Sequence, residues 1–253
     1  MTRIIMHGAS GYMGKVISDL CLSDENAEVV AGVDVNTEAD RPYPIYKSLD
    51  EVKEEADVII DFSHISAIDG MLEYCKKVGM PVVLCTTGLS EGQLNAVKEL
   101  SKTCAVLKSA NMSLGINTLM ELLKKAAAVF APAGFDIEVV EKHHRRKLDA
   151  PSGTALALAD SVNEALGNEY EYVFDRSTRR EQRPDKEIGI SAVRGGTIVG
   201  DHDVIFAGTD EVITFSHTAY SRSVFAKGAI EAAKFLAGKK EGFYDMADVI
   251  AAK

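Results

Sequence analysis

The chain has no tryptophan and only four cysteines, Cys21, Cys75, Cys85 and Cys104, in 253 residues. None of the four stands in a Cys-x-x-Cys pair, which excludes the usual zinc spacing, and they are too sparse for a secreted disulfide scaffold. Reduced thiols in a cytoplasm are the expectation. No apolar run approaches the roughly 18 residues of a membrane span, and the strand-like run opening at Arg3 leaves no room for a signal or transit peptide. An untargeted, soluble protein is expected. Positive charge is short as well: 28 Lys and Arg stand against 38 Asp and Glu, for a net charge of −10. A broad basic face for nucleic acid or an anionic membrane is therefore not expected, and any anion site must be local. With 6 prolines, 20 glycines and no repeat or low-complexity tract, the composition is that of a globular protein of one or two domains.

What is present is an alternation of apolar runs and helical patterns. Residues 3–7 form an apolar run that leads into Gly8-Ala9-Ser10-Gly11-Tyr12-Met13-Gly14, followed by a helical pattern to about Leu22. Apolar runs recur at 28–34, 58–62, 81–85 and 104–109, separated by helical patterns at 49–56, 67–78 and 90–101. Repeated βα units predict a doubly wound, Rossmann-like parallel sheet over residues 1–113. From Leu114 the texture changes to a helix to about Phe130, a strand at 135–141, a helix at 154–166 and β-rich stretches at 188–194, 197–208 and 211–220. The expectation is a second, α+β domain over 114–221 with a mixed, mainly open sheet. Helical patterns at 222–237 and after Asp245 are expected to return to the first domain, completing it over about 222–253.

Gly8-x-x-Gly11-x-x-Gly14 is a variant of the dinucleotide fingerprint, with its middle glycine displaced by one position. Glycines let the chain turn sharply and let a pyrophosphate approach backbone N–H groups at a helix start, whose dipole favours an anion. A strand precedes the cluster, a helix follows it, and Asp34 closes the second strand 20 residues after Gly14, placed to bind the ribose hydroxyls. A carboxylate there disfavours a 2′-phosphate, so NADH is expected over NADPH, with Arg41 or a lysine from elsewhere able to rescue NADPH binding. Open parallel sheets bind ligands at the carboxyl ends of their strands. That adds Phe62, Cys85, Thr86 and Thr87, and Ala110, Asn111, Met112 and Ser113, as candidates for the nicotinamide end.

The densest chemistry lies in residues 141–155, Glu-Lys-His-His-Arg-Arg-Lys-Leu-Asp-Ala-Pro-Ser-Gly-Thr-Ala. Residues 142–147 carry four fixed positive charges and two imidazoles, an anion trap in an acidic protein. Ser152-Gly153-Thr154 then opens a helix, whose first N–H groups suit a carboxylate. Two anion-holding elements beside a histidine that can transfer protons near neutral pH point to a dicarboxylate substrate. Adjacent His143 and His144 on an extended strand cannot both reach one ion, so no metal is expected. His7, His64, His202 and His217 stand in no motif and are read as structural or surface residues.

This segment resembles the signature of the 4-hydroxy-tetrahydrodipicolinate reductase family, historically dihydrodipicolinate reductase. The glycine loop, Thr86-Thr87-Gly88, the Ala-Asn-x-Ser-x-Gly stretch at 110–115 and Ser221-Arg222 match in order, so the resemblance runs across nearly the whole chain. Cys85 and Met112 depart from the family's more usual residues. The resemblance implies reduction of 4-hydroxy-tetrahydrodipicolinate by NAD(P)H in lysine and diaminopimelate biosynthesis. It also implies His143 as general acid, Lys147 as proton donor or holder of the leaving hydroxyl side, His144 as a substrate contact, Gly153 and Thr154 as carboxylate binders, and a homotetramer built through the second domain's sheet. The alternatives are a nicotinamide-binding redox sensor, for which no DNA-binding module is visible, and a sugar or amino-acid dehydrogenase sharing the two-domain plan.

Overall fold

The structure, a computed structural model, describes residues 1–174 and 176–252. It divides into two compact units, one formed by Met1–Leu114 with Ser223–Lys253 and the other by Gly115–Arg222.

The first unit is built on seven strands: β1 (Thr2–His7), β2 (Ala27–Val33), β3 (Ile45–Tyr46), β4 (Val58–Asp61), β5 (Val82–Leu84), β6 (Ala105–Leu107) and β12 (Gly242–Tyr244). They lie in the order β12-β6-β5-β4-β1-β2-β3, and every pairing is parallel. Such a sheet must be covered on both faces, which is why its central strands read as unbroken apolar runs. Ile4 and Met6 of β1 join one core with Ile60 and Val83, under helices α1 (Tyr12–Cys21), α6 (Ser223–Leu236) and α7 (Met246–Ala251). Ile5, Ile59 and Val82 face the other way, under α2 (Ile68–Val78) and α3 (Glu91–Leu100). The sheet is doubly wound. The C-terminal helical segment does pack here: Ala226, Ala229 and Ile230 of α6 are buried against the sheet, and β12 adds a strand beside β6.

Local chemistry sets the boundaries. Ser90 accepts the Gln93 N–H and the Gln93 side chain reaches back to the Ser90 N–H, a capping box that starts α3. Asp245 and Asp248 make the same arrangement at α7. Gly79, left-handed at φ 69°, stops α2. One expectation fails: the charged pattern at 49–56 yields a single 3-10 turn, Leu49–Glu51, before Val52 turns extended. The segment is short and rich in like charge, and Asp57 is tied to β1 through the Arg3 N–H (2.8 Å) and guanidinium (2.9 Å), which draws the chain out straight.

The second unit has a five-stranded mixed sheet: β7 (Asp136–His143), β8 (Glu171–Val173), β9 (Glu187–Arg194), β10 (Gly200–Ala207) and β11 (Val212–Ala219), in the order β11-β10-β7-β9-β8. β11, β10 and β7 run antiparallel, whereas β7, β9 and β8 run parallel. Alternation along β7 and β10 puts Ile137, Val139, Val204 and Phe206 on one face, beneath α4 (Leu114–Phe130) and α5 (Gly153–Ala165). Phe206 has no exposed surface and its ring meets Phe130 at 5.3 Å and Phe215 at 6.0 Å. Among the described residues no helix is long and apolar enough to cross a membrane.

Truncating Phe206 removes contacts from both sides of this core, so Phe206→Ala should destabilise the second unit by about 3–5 kcal/mol. Urea unfolding followed by circular dichroism checks this, and a loss below about 1 kcal/mol would contradict the packing.

Candidate active site

In the first unit the expected cofactor residues gather at the carboxyl edge of the parallel sheet. Gly8 leaves β1 at φ +87°, and a Cβ there would meet the Phe62 carbonyl oxygen at 2.5 Å. A Cβ on Gly14 would lie 2.4 Å from the Gly8 oxygen, so the turn into α1 closes only with glycine at both positions. Gly11 is the N-cap of α1, with no side chain capping the helix and no acid in its first turn. That leaves a positive helix end for an anion. Ala9 is fully buried, Tyr12 is exposed and Met13 packs on the core.

Asp34, directly after β2, accepts the Ser10 N–H on one oxygen (3.0 Å) and the Asn36 N–H on the other (3.1 Å), tying the glycine loop to the end of β2. A cavity of about 280 Å³ opens here, lined among others by Gly8, Gly11, Asp34, Val35 and Phe62. Cys85, Thr86 and Thr87 follow β5, and burial pushes the Cys85 thiol well above its ordinary range, so it is a packing residue. Asn111 Oδ1 accepts the Ser113 N–H at 2.8 Å, fixing a loop in which Asn111, Met112 and Ser113 are buried and Ala110 is exposed. The glycine cradle, the unblocked helix start and the acid at the end of β2 fit a dinucleotide.

The second unit holds the other cluster. His143 ends β7, and its Nδ1 lies 2.6 Å from Glu141 Oε2. The two side chains share a face because they are two residues apart on a strand. Glu141 has no exposed surface and is fully bound: Arg194, at the end of β9, donates to both oxygens at 2.7 Å, and the Ser152 N–H donates to Oε1 at 2.9 Å. Burial alone would raise the Glu141 pKa, but Arg194, His143 and the Ser152 N–H together hold it below the ordinary carboxylate range. Ser152 is also the N-cap of α5, its hydroxyl accepting the Ala155 N–H at 3.2 Å. Gly153 and Thr154 therefore open the helix right beside the Glu141–His143 pair. His144 follows β7, and Lys147 sits in the next turn, its ammonium 2.9 Å from Asp149.

Two participants carry no signal of their role in the sequence. Arg194 lies 53 residues from Glu141, and nothing in the pattern announces their convergence. The Glu-x-His spacing on a strand was the available signal for Glu141 itself. The second is His202, expected to be structural or a surface residue: it is buried on β10, its ring meets that of His143 edge-on at 5.1 Å, and its Nε2 lies 3.1 Å from the Ser152 hydroxyl. Burial, with His143 adding to it, pushes the His202 pKa down to about 4, so the ring is neutral at pH 7.

The family description "Dihydrodipicolinate reductase, N-terminus" matches residues 2–112 and "Dihydrodipicolinate reductase, C-terminus" matches residues 115–250. The chain belongs to the dihydrodipicolinate reductase family. It is 57% identical over 250 residues to the 4-hydroxy-tetrahydrodipicolinate reductase of Caldanaerobacter subterraneus subsp. tengcongensis, covering 99% of this chain and 98% of that one. It is 46% identical over 254 residues to the reductase of the same name from Clostridium novyi, covering all of both. Among solved structures it is similar to dipicolinate-bound dihydrodipicolinate reductase from Paenisporosarcina sp. TG-14, with a TM-score of 0.78, 25% identity, and coverage of 98% and 99%. A probable dehydrogenase from Thermotoga maritima shares the fold alone, with a TM-score of 0.62 at 13% identity. As a member of this family the chain is a nicotinamide-dinucleotide-dependent oxidoreductase.

A ring buried neutral gives a signed pH effect. The folded pKa of His202 lies below the ordinary histidine value, so its contribution to stability is full above about pH 6.5 and is lost as pH falls toward about 4. Unfolding free energy should drop by about 2 kcal/mol between pH 7.5 and 5 through this group. His202→Gln should remove that part of the slope in urea titrations at the two pH values, and an unchanged slope would contradict the assignment.

Proposed function

We propose that this chain reduces 4-hydroxy-tetrahydrodipicolinate to tetrahydrodipicolinate with loss of water, in lysine and diaminopimelate biosynthesis. The observation that carries the reading is the meeting, in one unit, of His143 paired to a buried carboxylate, Lys147, and the start of α5 at Gly153 and Thr154. The named relatives share that activity across the full length of the chain.

The first unit is the dinucleotide-binding domain and the second the substrate-binding and oligomerisation domain. Gly8, Ala9, Ser10, Gly11, Tyr12 and Met13 hold the pyrophosphate, Asp34 the ribose of the adenosine half, and Phe62, Cys85, Thr86, Thr87, Ala110, Asn111, Met112 and Ser113 the nicotinamide half. When bound, the reduced nicotinamide supplies the hydride that replaces the hydroxyl at C4 of the substrate. His143, as general acid, protonates the enamine carbon. Lys147 donates a proton to the leaving hydroxyl, which departs as water while the ring carbon next to C4 releases a proton to solvent; that carbon is the one His143 then protonates, so that one hydride and one proton enter in net. His144 contacts the substrate, while Gly153 and Thr154 present the helix start to one of its carboxylates. General acid catalysis of this kind contributes about 10²–10⁴-fold, and holding the ring in place contributes more.

NADH is the preferred cofactor. The Asp34 carboxylate lies where a 2′-phosphate would be repelled, and Val35 and Asn36 carry no compensating charge. Arg41 already donates from Nε to the Ala9 carbonyl (3.0 Å) and from Nη1 to that of Asp40 (2.7 Å). The enzyme works in the cytoplasm as a homotetramer. Supporting this, the mixed sheet packs α4 and α5 on one face, while Val193 and Val212 are exposed.

NADH oxidation coupled to freshly made synthase product, with and without pyridine-2,6-dicarboxylate as competitor, tests the activity. His143→Gln and Lys147→Ala should each lower kcat by on the order of 10²-fold or more. Wild-type rates in both would overturn the reading. Efficiency with NADH should exceed that with NADPH, and an NADPH value more than about tenfold higher would contradict the role of Asp34.

A further inference from the structure

We propose that Glu141 is a positioning residue that dictates which nitrogen of His143 reacts, and that Arg194, by neutralising Glu141, sets how firmly the ring keeps its proton. This rests on the reading of His143 as the general acid.

Glu141 Oε2 lies 2.6 Å from His143 Nδ1, a distance that requires a proton between them. Since a buried carboxylate with three other donors on it stays ionised, that proton belongs to Nδ1. Nε2 is then the nitrogen left to give a proton to substrate. A Cβ on Gly200 would stand 3.0 Å from Nε2, so the glycine at the start of β10 keeps a side chain from crowding that nitrogen. An unopposed carboxylate at this distance would bind the imidazolium too tightly for a good acid. Two Arg194 contacts at 2.7 Å offset that charge.

The same carboxylate takes the Ser152 N–H, so one side chain fixes both the acid and the helix start that receives the substrate carboxylate. The groups facing His143 are Glu141 on its own strand, Arg194 from β9, neutral His202 from β10 with His217 paired opposite it on β11, and the Lys147–Asp149 pair from the following turn. Of these, Glu141 alone touches the ring nitrogen.

The test is the pH profile of kcat for Glu141→Gln, Arg194→Gln and His143→Gln, with NADH affinity by fluorescence and circular dichroism reporting that each variant is folded. Glu141→Gln removes the anion that favours the imidazolium, so the basic limb should move to lower pH and kcat should fall by on the order of 10²-fold, with KM within about threefold. Arg194→Gln leaves the anion uncompensated, so the limb should move to higher pH. Glu141→Asp should restore most of the limb lost in Glu141→Gln. Limbs that stay put, or that move the same way in both variants, overturn the proposal, provided His143→Gln is inactive. An active His143→Gln instead removes the functional reading on which it rests. Should Glu141→Gln not fold, Arg194→Gln decides the matter: a limb moved to higher pH supports the proposal, and one that stays put or moves to lower pH overturns it.

Discussion

A carboxylate with no access to water is the constraint on which the second unit turns. Burying Glu141 without partners would be prohibitive, since even a well-placed ion loses several kcal/mol of hydration on leaving water. The fold meets this cost with four donors from three elements: two from Arg194 on β9, one from the backbone at the start of α5 and one from His143 on its own strand. Each partner is thereby fixed in place. Removing any of them exposes the others to the same penalty, which makes the cluster one object rather than a set of contacts.

The architecture around the cluster follows from that demand. β7 lies at the centre of the mixed sheet, between β10 and β9, so both neighbours can bring side chains to its end. Its inward residues, Ile137 and Val139, serve the hydrophobic core beneath α4 and α5, and continuing the same alternation puts Glu141 and His143 on that face too. The apolar face of the strand thus becomes the polar site where the core ends. In the first unit a different constraint operates, because seven parallel strands with covered faces leave only their carboxyl edge for ligands, and the glycine turn at Gly8 keeps that edge clear.

The first unit was largely legible in the sequence, because parallel strands buried on both faces write themselves as apolar runs and the fingerprint from Gly8 to Asp34 is local. The helices at 67–78 and 90–101 and the return of the C-terminal helix were readable for the same reason. The edge strands β3, β8 and β12, two or three residues each, carry too little pattern to be seen, and the segment at 49–56 misled because Arg3 and Asp57, far apart in sequence, decide its shape. In the site, His143, Lys147 and the start of α5 sit in one contiguous motif. Arg194 and His202 were not legible as parts of it, since their roles exist only once β9 and β10 are paired with β7. Ion-pair partners brought together by sheet pairing leave no periodic trace in a single sequence.

The central claim is that a buried carboxylate orders the His143 ring, and the most direct measurement is its protonation pattern by nitrogen-15 NMR of histidine-labelled enzyme, with His143→Gln used to assign the signals. The neutral ring should carry its proton on Nδ1 and show an unprotonated Nε2. A neutral His143 protonated on Nε2 would contradict the account.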